Sequence, residues 1–209
     1  MNFIVIEGNI GAGKTSLVNK IGNRLNSRVI LEQFSDNPFL PGFYKDPEKY
    51  TLPLELSFLA GRYNQLKNER TDPGLFETFT IADYYFAKSL IFSNTTLSGH
   101  EYKLFRQIFD IMNTSIPRPD IYVYLHVEID KLLHNIKKRG RLYEQSITQE
   151  YLKKIQKSYF EYMKQSTGIR FLIIDTGKTD FVSSEEDFEK MVDIIINGNF
   201  PLGINRTVL

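Results

Sequence analysis

The stretch Gly8-Asn9-Ile10-Gly11-Ala12-Gly13-Lys14-Thr15 follows directly on the apolar run Phe3-Ile4-Val5-Ile6. The pattern G-x-x-x-x-G-K-T between a strand and a helix suits one task, which is to enclose a polyphosphate in backbone N–H groups. Gly8, Gly11 and Gly13 can take backbone conformations closed to residues with a Cβ. Asn9, Ile10, Ala12 and Ser16 belong to the same cradle. Lys14 is placed to reach the outer phosphates and Thr15 to ligate Mg²⁺. The helix expected over Lys14–Asn26 aims its positive end at the same anion. A nucleoside triphosphate is the expected ligand, and the loop does not name the acceptor. Glu32 is the next candidate, because it ends the apolar run Arg28–Leu31 at the carboxyl edge of the expected sheet, where open α/β folds bind ligands. An alcohol that attacks phosphorus must lose its proton. A carboxylate within hydrogen-bond reach can take it, typically for a rate gain of about 10²–10⁴.

A parallel sheet is needed to position these residues, and the sequence has the matching pattern. Short apolar runs alternate with longer amphipathic segments, which implies an α/β fold of the P-loop kinase type, a parallel sheet covered by helices on both faces. Strands are expected at Asn2–Glu7, Arg28–Leu31, Gly74–Glu77, Asp120–Val127 and Arg170–Asp175, making a five-stranded sheet. Helices are expected at Lys14–Asn26, Lys49–Glu69, Thr80–Phe92, Gly99–Ser115, Ile129–Lys138, Thr148–Gln165 and Glu185–Asn197. In Gly99–Ser115 the residues Leu104, Phe105, Ile108, Phe109, Ile111 and Met112 form a face broader than one helix needs to bury. With Phe86, Leu90 and Ile91 of Thr80–Phe92, it leaves two readings open: a homodimer through these two helices, or burial within one subunit. No repeat, low-complexity tract or linker divides the chain. Residues 1–209 are therefore expected to form one domain, a length suited to a single α/β core.

Lys and Arg number 26 against 25 Asp and Glu, and a net charge of +1 gives no reason to expect a nucleic acid or an anionic membrane as partner. A small-molecule substrate fits better. The absence of cysteine excludes disulfides, thiolate catalysis and cysteine metal sites, and agrees with a reducing cytoplasm. The N-terminal apolar stretch is about five residues, far short of the roughly 20 a membrane span needs. A soluble, cytoplasmic protein is expected.

The loop Gln33–Glu48, punctuated by Pro38, Pro41 and Pro47, is long for a compact domain and is expected to be functional. Leu31-Glu32-Gln33-Phe34-Ser35-Asp36-Asn37-Pro38-Phe39-Leu40, followed by Phe43-Tyr44-Lys45-Asp46-Pro47-Glu48, resembles the segment after the second strand in deoxyribonucleoside kinases. The resemblance covers nearly the whole chain. It implies transfer of the γ-phosphoryl of ATP, with Mg²⁺, to the 5′-hydroxyl of a deoxynucleoside in nucleotide salvage, as in bacterial deoxyadenosine and deoxyguanosine kinases. It implies that Glu32 is the general base and that Tyr44 bonds the sugar 3′-hydroxyl. Lys137-Lys138-Arg139-Gly140-Arg141-Leu142-Tyr143-Glu144 resembles the family's lid. Arg139 and Arg141 would close over the transferring phosphoryl, where guanidinium groups can contribute about 10³–10⁵-fold in related enzymes, and Glu144 would reach the 3′-hydroxyl. Asp83, Arg62 and Glu55 are implied to read the base, Glu55 and Arg62 lying on one face of the same expected helix. After the last strand, Asp175–Phe181 matches the adenine loop, with Asp180 and Phe181 as its contacts.

The chain departs from the family in Phe76-Glu77-Thr78-Phe79-Thr80-Ile81-Ala82-Asp83, where the family has an acid, Arg and Ser, then an Asp six positions after the acid. Glu77 and Asp83 have that spacing, and Glu77 is expected to help hold Mg²⁺. Thr78 stands in place of the Arg. Either another cation substitutes, Lys88 being one candidate, or Lys14 and the lid suffice. The family usually has Gln at the position of Glu55. An ionised Glu only accepts hydrogen bonds, which favours purine deoxynucleosides over thymidine, deoxyguanosine slightly ahead of deoxyadenosine. Two other readings stand beside this one. A nucleoside monophosphate kinase of the thymidylate kinase type needs a cationic cradle for its acceptor's phosphate, whereas the Glu32 region offers carboxylates and aromatics. A non-catalytic ATP-binding protein needs neither base nor lid. The tail Asn197–Leu209 has no clear periodicity and no assigned role.

Overall fold

The computed structural model describes residues 1–33, 37–43, 45–69, 72–177 and 179–209. In chain order the elements are β1 (Phe3–Gly8), α1 (Lys14–Leu25), β2 (Arg28–Ile30), α2 (Leu40–Phe43), α3 (Pro47–Asn68), β3 (Thr80–Ala82), α4 (Lys88–Thr96), α5 (Gly99–Asn113), β4 (Ile121–His126), α6 (Ile129–Arg139), a 3₁₀ turn (Leu142–Glu144), α7 (Gln149–Gln165), β5 (Arg170–Asp175), α8 (Glu185–Asn197) and β6 (Gly203–Val208). The sheet runs β2-β3-β1-β4-β5-β6 and its neighbouring strands are all parallel. Its centre is buried on both faces, as a continuous apolar strand requires. Phe3 and Val5 of β1 face a cluster with Leu59, Ile91, Phe105, Phe109 and Tyr159, while Ile4 and Ile6 face another with Leu17, Ile21, Leu132, Met191 and Ile195. Alternate residues of one strand thus bury two layers, α3, α4, α5 and α7 on one side and α1, α6 and α8 on the other.

The α/β architecture is as expected, with three differences. The sheet has six strands rather than five, because the tail contributes β6, whose residues pair with Arg170–Asp175 in register. The third strand is Thr80–Ala82 rather than Gly74–Glu77, and the helix expected to begin at Thr80 begins at Lys88. Leu75 and Phe76, the apolar pair that suggested the strand, are 93% and 84% exposed. The broad face of α5 divides: Phe105 and Phe109 are buried within the chain, while Leu104 and Ile111 stay exposed. Among the described residues no helix is long and apolar enough to cross a membrane.

Candidate active site

The phosphate loop joins β1 to α1 and takes its shape from glycine. Gly11 and Gly13 have φ of 83° and 87°, and a Cβ on Gly13 would lie 2.9 Å from Cζ of Phe181. Gly13 is also the N-cap of α1 and no side chain caps it, so the first amides of the helix are free for an anion. Asn9 and Asn135 brace the loop from outside, the Asn9 amide donating to the Leu152 carbonyl at 2.8 Å and the Asn135 amide to that of Gly11 at 2.9 Å. The Lys14 ammonium folds back onto the carbonyls of Gly8 (2.9 Å) and Asn9 (3.0 Å). Burial, with the repulsion of Lys88, lowers its pKa to about 8 against the pull of Glu7, Glu32 and Asp83.

Two carboxylates meet this loop from the ends of β2 and β3. Asp83 accepts from the Thr15 hydroxyl at 2.5 Å with one oxygen and from the Glu32 amide at 2.8 Å with the other, tying three segments together. One Glu32 oxygen accepts from Nε and Nη2 of Arg62 at 2.9 and 2.7 Å, and the other accepts from the Lys88 ammonium. Burial alone would raise the Glu32 pKa, but Lys88 and then Arg62 outweigh it and hold the carboxyl at about 2. Arg62 also donates to the Ser89 hydroxyl at 2.8 Å. Beneath the loop, Glu7 is fully buried and accepts from the Tyr85 amide at 2.9 Å and the Tyr159 hydroxyl at 2.8 Å. Its pKa is raised because burial exceeds the attraction of Lys88 and Lys14.

A cavity of ≈ 510 Å³ opens from Lys14, Thr15 and Asp83 past Glu32 to Glu55. Glu55 is 5% exposed, one of its oxygens accepts from the Thr96 hydroxyl at 2.7 Å, and Oε2 has no hydrogen-bond partner among the described residues. Phe58 and Phe92 supply apolar walls. The remaining wall is the segment expected to be a lid, Arg139 to Glu144. Gly140, with φ of 72°, ends α6 in a left-handed cap and turns the chain so that Arg139 and Arg141 both reach back to buried Glu144, with contacts of 2.5 and 3.3 Å. Lys131 orders the loop after β5 by donating to the carbonyls of Thr176, Gly177 and Thr179 at 3.2, 3.1 and 3.1 Å.

The cavity brings together Glu32, Lys14, Thr15, Glu55, Arg62, Asp83, Arg139, Arg141 and Glu144. Some of these have other neighbours than expected. Asp83, expected to share a base-reading set with Glu55, stands at the phosphate loop, and Arg62 spends its hydrogen bonds on Glu32 and Ser89. Glu77 is a correction. It precedes β3, whose Thr80 is level with Phe3, the first residue of β1, whereas the phosphate loop begins at Gly8. At roughly 3.3 Å per residue, that places Glu77 more than about 16 Å from the loop, at the opposite edge of the sheet. Its carboxylate instead accepts from the Gly74 amide at 2.7 Å. Thr78, at the same edge, donates to the Leu25 carbonyl at 2.7 Å, so no cation is missing from the site there. Asp180 is exposed, and Phe181 is buried against Gly13, where it supports the loop from below. Tyr44 lies outside the described residues. Lys88 enters the site as the partner of Glu32. Ser89, Thr96 and Glu7 were not singled out in the sequence, and no spacing rule marks them.

Among the described residues there is no group of three His, Cys, Asp or Glu able to cage a metal. The Thr15 hydroxyl and the Asp83 carboxylate are nonetheless hard oxygen donors at the mouth of the phosphate loop, a set that fits Mg²⁺ completed by waters and substrate phosphates.

The deoxynucleoside kinase family model matches residues 4–198. A deoxyguanosine kinase of Bacillus subtilis (strain 168) is 34% identical over 193 residues, covering 90% of this chain and 93% of its own. A deoxyadenosine kinase of Dictyostelium discoideum is 32% identical over 186 residues, covering 88% of this chain and 75% of its own. Among solved structures, deoxyadenosine kinase from M. mycoides with the products dCMP and a flexible dCDP superposes with a TM-score of 0.79 at 26% identity, covering 94% of this chain and 100% of that one.

Proposed function

The chain belongs to the deoxynucleoside kinase family, and from that premise we propose how it phosphorylates the 5′-hydroxyl of a deoxynucleoside, with purines favoured. The observation that carries the reading is the placing of Glu32 midway along the cavity. Glu32 contacts Lys88 and Glu55 contacts Thr96, residues eight apart on α4 and so anchored about 12 Å apart along the helix. Arg62 and Glu55, seven apart on α3, give a similar span. A sugar and a base fit between, with the 5′-hydroxyl at Glu32, the base edge at Glu55 and the donor's phosphates at Lys14.

In this arrangement ATP lies on the loop amides and the N-terminus of α1. The incoming phosphates draw Lys14 away from the Gly8 and Asn9 carbonyls. Glu32, ionised throughout the physiological range, accepts the proton of the 5′-hydroxyl as its oxygen bonds to phosphorus and the bond to the leaving oxygen breaks. Arg139 and Arg141 exchange Glu144 for the phosphoryl oxygens, which frees Glu144 for the sugar 3′-hydroxyl. Phosphoryl transfer depends on positioning and charge more than on covalent help, and these cations supply both. Mg²⁺, held by Thr15 and Asp83, would neutralise charge on the donor's phosphates. Among the described residues the cations around Glu32, Lys88 and Arg62, are already paired with it, which disfavours an acceptor that carries a phosphate.

We further read residues 1–209 as one catalytic unit working in the cytoplasm. The exposed Leu104 and Ile111 on α5, beside α4, support a homodimer through these helices. The test is product analysis with ATP and Mg²⁺, offering each deoxynucleoside and each deoxynucleoside monophosphate. Deoxynucleosides are expected to be converted to 5′-monophosphates. Faster use of a monophosphate would overturn the reading.

A further inference from the structure

Glu55 is a carboxylate buried where a base edge would lie, with one oxygen occupied and the other unpartnered. Oε1 accepts from Thr96, so that side is fixed as an acceptor. Glu55 lines the cavity, and its Oε2 is buried without a partner among the described residues. What Oε2 offers a ligand depends on a single proton. A neutral carboxyl presents a donor beside an acceptor. A carboxylate presents two acceptors.

We propose that the protonation state of Glu55 selects the base, the neutral acid taking deoxyadenosine or deoxycytidine and the carboxylate taking deoxyguanosine. Adenine and cytosine each carry an amino donor next to a ring nitrogen that accepts, the complement of a carboxylic acid. Guanine carries two adjacent donors, N1–H and the N2 amino group, the complement of a carboxylate. A mismatch in either state leaves a buried donor facing a donor or an acceptor facing an acceptor. The inference rests on the deoxynucleoside kinase reading and deepens it.

The surroundings leave both states within reach. Burial pushes the Glu55 pKa up to about 7, against the Thr96 hydroxyl and the charge of Arg62. From α3 the charged neighbour is Arg62, whose guanidinium is directed to Glu32. From α4 it faces Thr96 and, further along, Lys88, which also serves Glu32. Across the cavity are Arg139, Arg141, Tyr143 and Glu144 of the lid and Tyr151 of α7, and at the phosphate end Lys14 and Asp83. Arg139 and Arg141 are partnered by Glu144. Among the described residues the hydrogen bond given to Glu55 comes from the Thr96 hydroxyl and not from a cation, so the base itself becomes the partner that decides its charge.

The experiment measures kcat/KM for deoxyguanosine and deoxyadenosine from about pH 5.5 to about 8.5 and takes their ratio, in which titrations common to both substrates cancel. The ratio is expected to rise at least about tenfold across this range, the deoxyguanosine profile rising and the deoxyadenosine profile falling through about pH 7. In Glu55→Gln, which keeps one donor and one acceptor at every pH, it is expected to be flat and shifted toward deoxyadenosine. A flat ratio in the wild type, or an unchanged pH dependence in Glu55→Gln, would overturn the proposal. Calorimetry on the wild type at about pH 6, in two buffers of different ionisation enthalpy, gives a second readout free of any variant. Deoxyguanosine binding is expected to release close to one proton and deoxyadenosine none, and equal proton counts would overturn the proposal. Phosphorylation of neither nucleoside at any pH would defeat the kinase reading and the proposal with it.

Discussion

Lys88→Met removes the larger of the two attractions that keep Glu32 ionised. The drop from an ordinary 4.5 to about 2 is worth roughly 3 kcal/mol of preference for the carboxylate, achieved against the cost of burial. With Lys88 gone, Arg62 alone opposes that burial, and at least half of the preference should be lost. The Glu32 pKa then rises toward the ordinary carboxylate range, so activity that needs the carboxylate falls away near about pH 4–5. Lys14 moves in the same direction. Lys88 repels it in the wild type, where its pKa is about 8, so the substitution raises that value and extends activity on the alkaline side. The whole kcat/KM profile, which reports the free enzyme, should slide upward in pH. Stability follows the sign of the Glu32 shift. A depressed pKa stabilises the fold above about pH 4.5, and that contribution fades as pH falls toward 2. The wild type should exceed Lys88→Met by about 1.5–3 kcal/mol at pH 7 in urea unfolding, less than the loss of a whole buried pair because Arg62 remains. The difference should shrink in acid. Superimposable pH profiles together with an unchanged urea midpoint would refute the reasoning.

Gly13→Ala places a Cβ at a positive φ and 2.9 Å from Phe181, so it should raise KM for ATP several-fold and lower Tm, as measured by steady-state kinetics and calorimetry. Arg139→Ala should reduce kcat by about 10²-fold or more while leaving ATP affinity within a few-fold, since its partner at rest is Glu144 and its work lies in the transition state. Thr78→Arg should leave kcat unchanged, because Thr78 contacts Leu25 and Ser27 at the far edge of the sheet, and a large gain would show that the site lacks a cation.

The glycine loop, the position of Glu32 after β2 and the turn at Gly140 were legible because each couples a residue type to a position that backbone geometry enforces. The third strand was not. Leu75 and Phe76 look like strand residues but face solvent, whereas the short run Thr80-Ile81-Ala82, wholly buried, reads equally well as the first turn of a helix. Asp83, expected beside Glu55 and Arg62, instead bonds Thr15 and the Glu32 amide, and Glu77, expected near Thr15, lies at the opposite edge of the sheet. The sixth strand was hidden for a different reason. Ile204 and Val208 are exposed while Asn205 and Thr207 are partly covered, so β6 is held by main-chain pairing to β5 and its side-chain pattern does not report a buried face. The pairing of Arg62 with Glu32 joins residues 30 apart in sequence. Neither propensity nor periodicity foretells such a contact, which depends on where α3 crosses the end of β2.

The central claim is that Glu32 acts on the acceptor hydroxyl and not on the donor. Glu32→Gln, assayed beside the wild type for deoxynucleoside phosphorylation and for ATP binding by calorimetry, tests it most directly. The expected result is a kcat lower by about 10²–10⁴-fold with the Kd for ATP within about twofold. Retention of more than about a tenth of kcat, or a loss of ATP affinity matching the loss of turnover, would contradict it.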